Sequence, residues 1–539
     1  MRFGVAGAMV SITLICASPR AQADEAQSLE ELRNTVINLL EGLVQKGVIT
    51  KDQAQGMVND AQGKAAAQAK ARTDKEASEQ GAVRVPYIPD IVKDQIKEEV
   101  KKDLRADVTK DVVAEAQSEK WGVPGALPAW VSSLNVHGDI RVRGEADLYA
   151  PDNARNEYLN FTNVNAAGGI QKAGANAVLN TSTDRLRERV RLRLGFDEKV
   201  NDTITAGVQL GFENQSFPVS TNQTLGSYGQ NYQAAVYEAF IRYDAKSETK
   251  LPWMSLTGGR FSNPFFSSDL VWYPDLKFDG TVGAWRLGFG GSGDIPRNVF
   301  FTLGAFPVQE IELSYHDKWL VGSQLGLDIP WENGGRARLA ASYYYFDHLT
   351  GVKNSLGSTL LNFTAPPILQ KGNTLFDISN TGDTTNSTNL FALAAKYHEA
   401  NLTAGLDLPL AGHRLAFLAD YVNNVGYNQA DILARTGISV PKRGLGYLAE
   451  IAYGSPVTGA AGTWRGALQY RYLQRDAVVD AFADQDFHLG GTDAKGYVLR
   501  GDWWFKDRTS LSVRYFSANQ IDGPPLGIDV IFVDVNASF

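Results

Sequence analysis

The stretch Arg185-Leu186-Arg187-Glu188-Arg189-Val190-Arg191-Leu192-Arg193-Leu194-Gly195-Phe196 decides the fold. Arginine holds every odd position from 185 to 193, and mostly apolar residues lie between. A period of two belongs to a β-strand, whose successive side chains point to opposite faces. The segment therefore has one cationic, wet face and one dry face. Upstream, Leu134 to Arg143 alternates in the same way, with apolar residues or Gly at even positions and polar ones at odd positions. Downstream, Ala337, Leu339, Ala341, Tyr343 and Tyr345 oppose Arg336, Arg338 and Ser342. Trp464, Leu468, Tyr470 and Tyr472 oppose Arg465, Gln469, Arg471 and Arg475. Near the end, Tyr497, Leu499 and Trp503 alternate with Arg500 and Asp502, and Leu511, Val513 and Tyr515 with Ser510, Ser512 and Arg514.

Many strands of roughly ten residues, dry on one side and charged on the other, are the pattern of a transmembrane β-barrel. A water-soluble β-sandwich also alternates, but long arginine ladders backed by Tyr and Trp are not expected there. Hydrocarbon tolerates no unpaired backbone, so the sheet must close. Candidate strands fall near 133–146, 185–198, 202–213, 233–245, 253–262, 276–289, 298–306, 319–330, 336–348, 389–409, 413–424, 444–454, 463–475, 495–505, 509–518 and 528–539. Long connectors (147–184, 214–232, 349–388, 425–443, 476–494) tend to alternate with short ones (199–201, 331–335, 506–508). The fold class is an all-β barrel of about sixteen antiparallel strands, or eighteen if 389–409 holds two, preceded by a helical region. An even count puts both barrel ends in the periplasm. Trp253, Trp464, Trp503, Tyr343 and Tyr472 suit interfacial girdles.

The 539 residues carry 52 Lys+Arg against 60 Asp+Glu, a formal charge of -8 that excludes a bulk electrostatic grip on nucleic acid. One Cys and six His leave little for a zinc or disulfide framework, and no cofactor is indicated. Residues 1–23 read as a signal peptide: Arg2, an apolar stretch from Val5 to Ala17, and Ala21-Gln22-Ala23 as the cleavage site. Cys16 raises the alternative of a lipoprotein signal, but Ile15 stands where a small residue belongs. Cleavage removes the single Cys and takes the formal charge from -8 to -10 by loss of Arg2 and Arg20.

Residues 24–129 read as a helical, coiled-coil-like periplasmic region. Ser28 to Glu31 forms a capping box, and Leu29, Leu32, Val36, Leu39 and Leu43 make a short seam. Residues 81–90, with Pro86 and Pro89, break it before a further helix from about Asp90 to Lys120. Residues 130–539 form the barrel. Export and closure together place the protein in a bacterial outer membrane.

Three blocks carry a resemblance. They are the arginine ladder Arg185 to Phe196, the run from Gly259-Arg260-Phe261-Ser262-Asn263-Pro264-Phe265-Phe266 through Ser268 to Trp272 and Phe278-Asp279-Gly280, and Ile521-Asp522-Gly523-Pro524-Pro525-Leu526. In these the chain resembles a porin family of Gram-negative outer membranes, in which helices precede a β-barrel. The resemblance covers the barrel and, more loosely, Pro86 to Pro89. It implies passive diffusion through a pore and carries no catalytic residues. By analogy with sixteen-stranded porins, the resemblance implies a homo-oligomer, a trimer. The terminal strand ending on Phe539, with Val535, Val533 and Ile531 spaced by two, resembles the signal read by the barrel-assembly machinery.

If the dry face meets outer-membrane lipid, the wet face lines a pore. That register assigns Arg141, Arg143, Arg185, Arg187, Arg189, Arg191, Arg193, Arg336, Arg338, Arg465, Arg471, Arg500 and Arg514 to the lumen, with Arg242, Arg414 and Arg475. The strand acids in the same register are fewer: Asp139, Glu145, Asp197, Glu238, Asp420, Glu450, Asp502 and Asp534. Rings of arginine favour anions, so the expectation is ion transport with a mild anion preference, unless the arginines pair with lumen acids. The aromatic connector 263–275 has two readings, an inward constriction or an outer rim. Rival functions are a structural tether or adhesin-type barrel and an outer-membrane barrel enzyme, although the scattered histidines nominate no catalytic base.

Overall fold

A computed structural model describes residues 133–539 except 213–217, 221, 248–250, 291–295, 313 and 383–387, together with a few residues between 50 and 67. The chain divides into two compact units, Met1–Lys110 and Asp111–Phe539. In the first, the described residues between 51 and 67 are helical, with Lys64 Nζ 3.3 Å from Asp60 one turn away. Residues 1–23, expected to be a signal peptide, and the rest of the region 24–129 lie outside the described residues.

In the second unit the period of two becomes sixteen barrel strands. They are β1 (Leu134–Tyr149), β2 (Arg185–Lys199), β3 (Ile204–Phe212), β4 (Ala234–Asp244), β5 (Met254–Ser262), β6 (Lys277–Gly288), β7 (Asn298–Gln309) and β8 (Lys318–Pro330). Then come β9 (Arg336–Asp347), β10 (His398–Leu410), β11 (His413–Asn424), β12 (Leu445–Gly454), β13 (Trp464–Leu473), β14 (Ala494–Lys506), β15 (Thr509–Gln520) and β16 (Gly527–Ser538). Each pairs antiparallel with the next, and a two-residue segment, Gln223–Thr224, adds a short pairing to β2. β16 returns to β1 in the register Val142↔Val535 and Arg143↔Asp534, so no edge is left open. Gly138 and Phe539 exchange two backbone hydrogen bonds at 3.1 and 3.0 Å where the ends meet.

Burial is inverted relative to a water-soluble protein. On β1 the apolar Ile140 and Val142 are 42% and 51% exposed, whereas Arg141 and Arg143 are 6% and 0% exposed. The same holds on β9, where Leu339 and Tyr343 face out and Ala340 and Tyr344 are buried. An apolar outside with charges inside suits hydrocarbon, not water. Two aromatic belts flank it. Near the short-turn end lie Trp253, Trp464 and Trp503; nearer the loop end Tyr343, Tyr447, Tyr472 and Tyr497. Six positions along β14 take Tyr497 to Trp503, about 20 Å of strand at ~3.3 Å per residue, or about 15 Å of height at a tilt of ~40°, which lies within the apolar band of such barrels.

The connectors at one end are two to nine residues long; at the other they include 150–184, 263–276, 348–397, 425–444 and 474–493. Several of the long ones fold into the barrel and supply its apolar core, with Leu270, Trp272, Ala392, Ala394, Tyr397 and Val478 almost fully buried. One expected strand is corrected in detail. The run 389–409 does not form a single strand: Phe391–Leu393 pairs with Leu375–Asp377 in a separate ribbon, and β10 begins at His398. Between them Ala394, Ala395 and Tyr397 turn inward and are fully buried, so that stretch belongs to the loop core.

An arginine in the outward register tests this sorting. Val142→Arg is expected to lower barrel stability by about 2–4 kcal/mol if that position lies near the bilayer midplane, measured by urea titration of the folded, fast-migrating band in lipid vesicles. No loss at all would contradict an outward-facing Val142.

Candidate functional site

The connector 263–276 folds inward and spans the bore. Its roots are set by Gly259 and Gly280, paired across β5 and β6, with φ of +121° and +141°. A Cβ at Gly259 would lie 2.2 Å from the Ala239 carbonyl oxygen, and one at Gly280 2.3 Å from that of Ala305. Only glycine accepts that backbone and that approach. From there the loop is fastened around the wall. The Phe266 amide donates to Gln324 Oε1 on β8 at 2.8 Å, and the Ser268 amide and hydroxyl donate to Asp420 on β11 at 3.0 and 2.6 Å. Asp269 takes Arg471 of β13 at 2.6 Å, and Asp275 reaches Arg193 and Arg191 of β2 at 3.2 and 3.5 Å. Tyr273 donates to Asp486 of the loop 474–493 at 3.0 Å. Of the two readings of 263–275, the structure adopts the inward one.

The ladder of β2 faces β1 in the register Arg185↔Asp147, Arg187↔Glu145, Arg189↔Arg143, Arg191↔Arg141 and Arg193↔Asp139. Asp139 accepts from Arg191 and Arg193 at 3.0 and 2.6 Å; Glu145 holds Arg187 and, at 3.2 Å, Arg189. Arg143 grips Asp534 in a two-pronged pair at 2.7 and 3.0 Å, stacks 3.8 Å over Phe532, and lies 3.6 Å from Asp486. Arg514 shares Asp534 at 3.1 Å. Arg141 bonds Asn222. Arg471, fully buried, bridges Asp269 and Asp484 at 2.6 and 3.0 Å.

The expected site residues do not form one ring. Arg141, Arg191, Arg500 and Arg514 line a polar cavity of about 390 Å3 opposite Asp269, Asp484, Asp486 and Asp534. Arg185, Arg187 and Arg189 line a second, of about 320 Å3. Arg465 lies in a third with Arg414, holding Glu450 at 2.9 Å. Arg336 pairs with Asp328, Arg338 stacks 4.2 Å over Phe266, and Arg500 pairs with Asp502 at 2.7 Å. Ten of the thirteen guanidiniums thus have a carboxylate within ion-pair reach, whereas Arg141, Arg185 and Arg338 have none among the described residues. The lumen tally leaves out the strand acids Asp147, Asp328 and Asp407, which meet Arg187, Arg336 and Arg414, and it misses Asp269, Asp275, Asp484 and Asp486 because these sit on connectors that return into the bore. The signal for two of them, Asp269 and Asp275, was present: a connector as rich in Phe, Trp and Tyr as 263–275 has reason to turn out of water.

The loop 474–493 concentrates shifted acids. Burial acts upward on the Asp486 carboxyl, but the Arg143, Arg514, Arg189 and Arg141 guanidiniums hold it down to about 2. Burial pushes Asp480 well above the carboxylate range and also raises Asp484, against Arg471. Burial raises Asp493 to about 6, with Lys371 opposing, and lowers the Lys371 ammonium to about 7. Among the described residues, no cluster of three or more His, Cys, Asp or Glu has the geometry to hold a metal.

Two outcomes follow from this chemistry. Arg143→Ala leaves Asp534 without its two-pronged partner in a buried site and is expected to cost about 3–5 kcal/mol, read by urea unfolding; a change within experimental error would deny the pair its role. Separately, docking of 474–493 should tighten on acidification. The raised Asp493 binds a proton in the docked loop between its ordinary 3.8 and about 6, so its stabilisation is full below 3.8 and is lost as pH rises through 6. Asp480 and Asp484 act in the same direction; His488, held neutral by burial well below 6.5, opposes these three as pH falls through 6.5, Asp486 opposes them only below about 3.8, and Lys371 changes only above about 7. Hydrogen exchange at 476–493, corrected for the intrinsic rate, should therefore show more protection at pH 4.5 than at pH 7; equal protection would contradict the assignment.

The family described as "Putative porin" matches residues 33–539. No curated protein matches the sequence. Similar solved structures include the high-pH structure of Pseudomonas putida OprB, at 11% identity and a TM-score of 0.43, covering 78% of this chain and 97% of that one. Two others are the outer membrane channel DcaP of Acinetobacter baumannii (13% identity, TM-score 0.39, 75% and 97% covered) and Salmonella typhi OmpF in complex with daunomycin (12%, 0.38, 75% and 97%). With a family match across all of its strands and a closed sixteen-strand barrel around a charged bore, the chain belongs to this porin family of outer-membrane channels.

Proposed function

We propose that the protein is a passive diffusion channel for small hydrophilic solutes, with a mild anion preference. The observation that carries the reading is the polar cavity between the arginine-bearing strands β1, β2, β14 and β15 and the inward loop 263–276. A low-dielectric wall focuses the field of the groups that line it, and lumen arginines favour anions. Pairing keeps the preference small: a guanidinium beside a carboxylate acts on a passing ion as a dipole, which falls off faster than a lone charge. On this reading residues 1–23 direct export, 24–129 form a periplasmic helical region, and the protein works as a homo-oligomer. The antiparallel closure of β16 on β1 is consistent with the terminal strand serving in assembly.

The bore is narrowed by the core that 263–276, 348–397 and 474–493 build inside it, and this gives the tether reading its one specific support. Planar-bilayer recording separates the two. Discrete conductance steps are expected, with a reversal potential in a KCl gradient displaced modestly towards that of chloride. Asp275→Asn frees Arg191 and Arg193 from their loop partner and should move the potential further in that direction. Absence of steps would favour the tether, and displacement towards the potassium potential would overturn the anion preference.

A further inference from the structure

A second kind of cavity lies at the long-loop end, outside the arginine-lined passage. It measures about 190 Å3 and sits between the loop 263–276, strands β6 to β8 and the loops 348–397 and 474–493. Its walls are predominantly apolar. Trp272 packs edge-on to Phe278 with centroids 5.1 Å apart, Phe278 packs on Phe306 at 5.0 Å, and Phe482 lies 6.0 Å from Trp272. The space matches one small ring.

Three cationic side chains reach this cavity, and they differ in how they are held. Arg260 has Asp279 at 2.7 Å, and Lys277 has Glu238 with Ser262 at 2.7 Å. Lys318 is only 1% exposed and has no carboxylate within ion-pair reach among the described residues; its single hydrogen bond is a long one, 3.4 Å, to the Thr364 carbonyl. A buried ammonium without an anion is costly, and a carboxylate that arrives with its own apolar body removes that cost. Two acids line the wall, and neither opposes such a guest: Asp279 is already taken by Arg260. Asp480 is fully buried, burial pushes its carboxyl well above the usual range, and its Oδ1 has no hydrogen-bond partner among the described residues, so its surroundings disfavour a negative charge there.

We propose that this cavity is a recognition site for small aryl carboxylates, the ring lying against Trp272, Phe278 and Phe306 and the carboxylate on Lys318. The proposal rests on the channel reading in one respect, since it names a solute class that the pore would select at its loop-side mouth. Binding itself is independent of conduction.

The test uses the full chain in detergent, titrated with benzoate, benzyl alcohol and acetate, and followed by calorimetry and by tryptophan emission, to which Trp272 contributes. Benzoate is expected to saturate and to bind about tenfold tighter than benzyl alcohol, which lacks the charge, and than acetate, which lacks the ring. Lys318→Met should reduce benzoate to the level of benzyl alcohol, and Lys318→Arg should keep most of the difference. Equal affinities for benzoate and benzyl alcohol in the unsubstituted protein, or an undiminished benzoate affinity in folded Lys318→Met, would overturn the proposal. If Lys318→Met does not fold, the three-ligand comparison decides alone. Conductance in benzoate-free KCl is scored separately: benzoate binding without conductance would leave this site standing and remove the channel, whereas conductance without it would do the reverse.

Discussion

A backbone amide in hydrocarbon has nothing to bond to but another strand, and the rest of this structure depends on that constraint. It demands a sheet with no free edge, and sixteen antiparallel strands meet it by returning β16 to β1. Closure then fixes the chemistry of every strand residue through the pleat. One set of side chains meets lipid and must be apolar; the other is shut inside with water and the returning loops. The arginines are concentrated because half of each strand has no contact with lipid and can carry charge.

Packing so many guanidiniums inside a barrel raises a second problem, which the connectors solve. β2 and β1 bring Arg189 beside Arg143 and Arg191 beside Arg141, cation opposite cation. Strand carboxylates answer part of this, with Asp139, Glu145 and Asp534 each serving two arginines. Asp328, Glu450 and Asp502 take one arginine each, and further carboxylates come from outside the strands: Asp269 and Asp275 on one inward loop, Asp484 and Asp486 on another. The loops that narrow the bore are the same ones that neutralise its walls, so constriction and charge balance are a single device. Any movement of 263–276 would expose Arg191, Arg193 and Arg471 together.

The strands were legible because a period of two is a local property, visible in each ten-residue window. Their order and closure followed from connector length. The register assigns the thirteen named arginines to the wet face, but what they would meet there was hidden. Asp486 lies far from Arg143 in sequence, and no periodicity links the two. The start of β10 was hidden for a similar reason: residues 391–397 are apolar enough for strand, but Ala394, Ala395 and Tyr397 are apolar on account of the loop core that buries them. Lys318 was likewise unreadable, since its lack of a carboxylate is a fact about three loops converging on it.

The most direct measurement is side-specific accessibility on three neighbouring strands. Cys16 is the only cysteine in the sequence, so with Cys16 replaced, single cysteines can be placed at will. Arg500, Ser512 and Asn536 line the polar cavity, whereas Leu499, Val513 and Val535 are 43–50% exposed on the outer face. In vesicles, cysteines at the first three positions should react with a membrane-impermeant thiol reagent, and a fluorophore at the latter three should be quenched by brominated lipid chains. Lipid quenching at both sets, or aqueous reaction at both, would contradict a barrel sorted residue by residue into an oily outside and a wet inside.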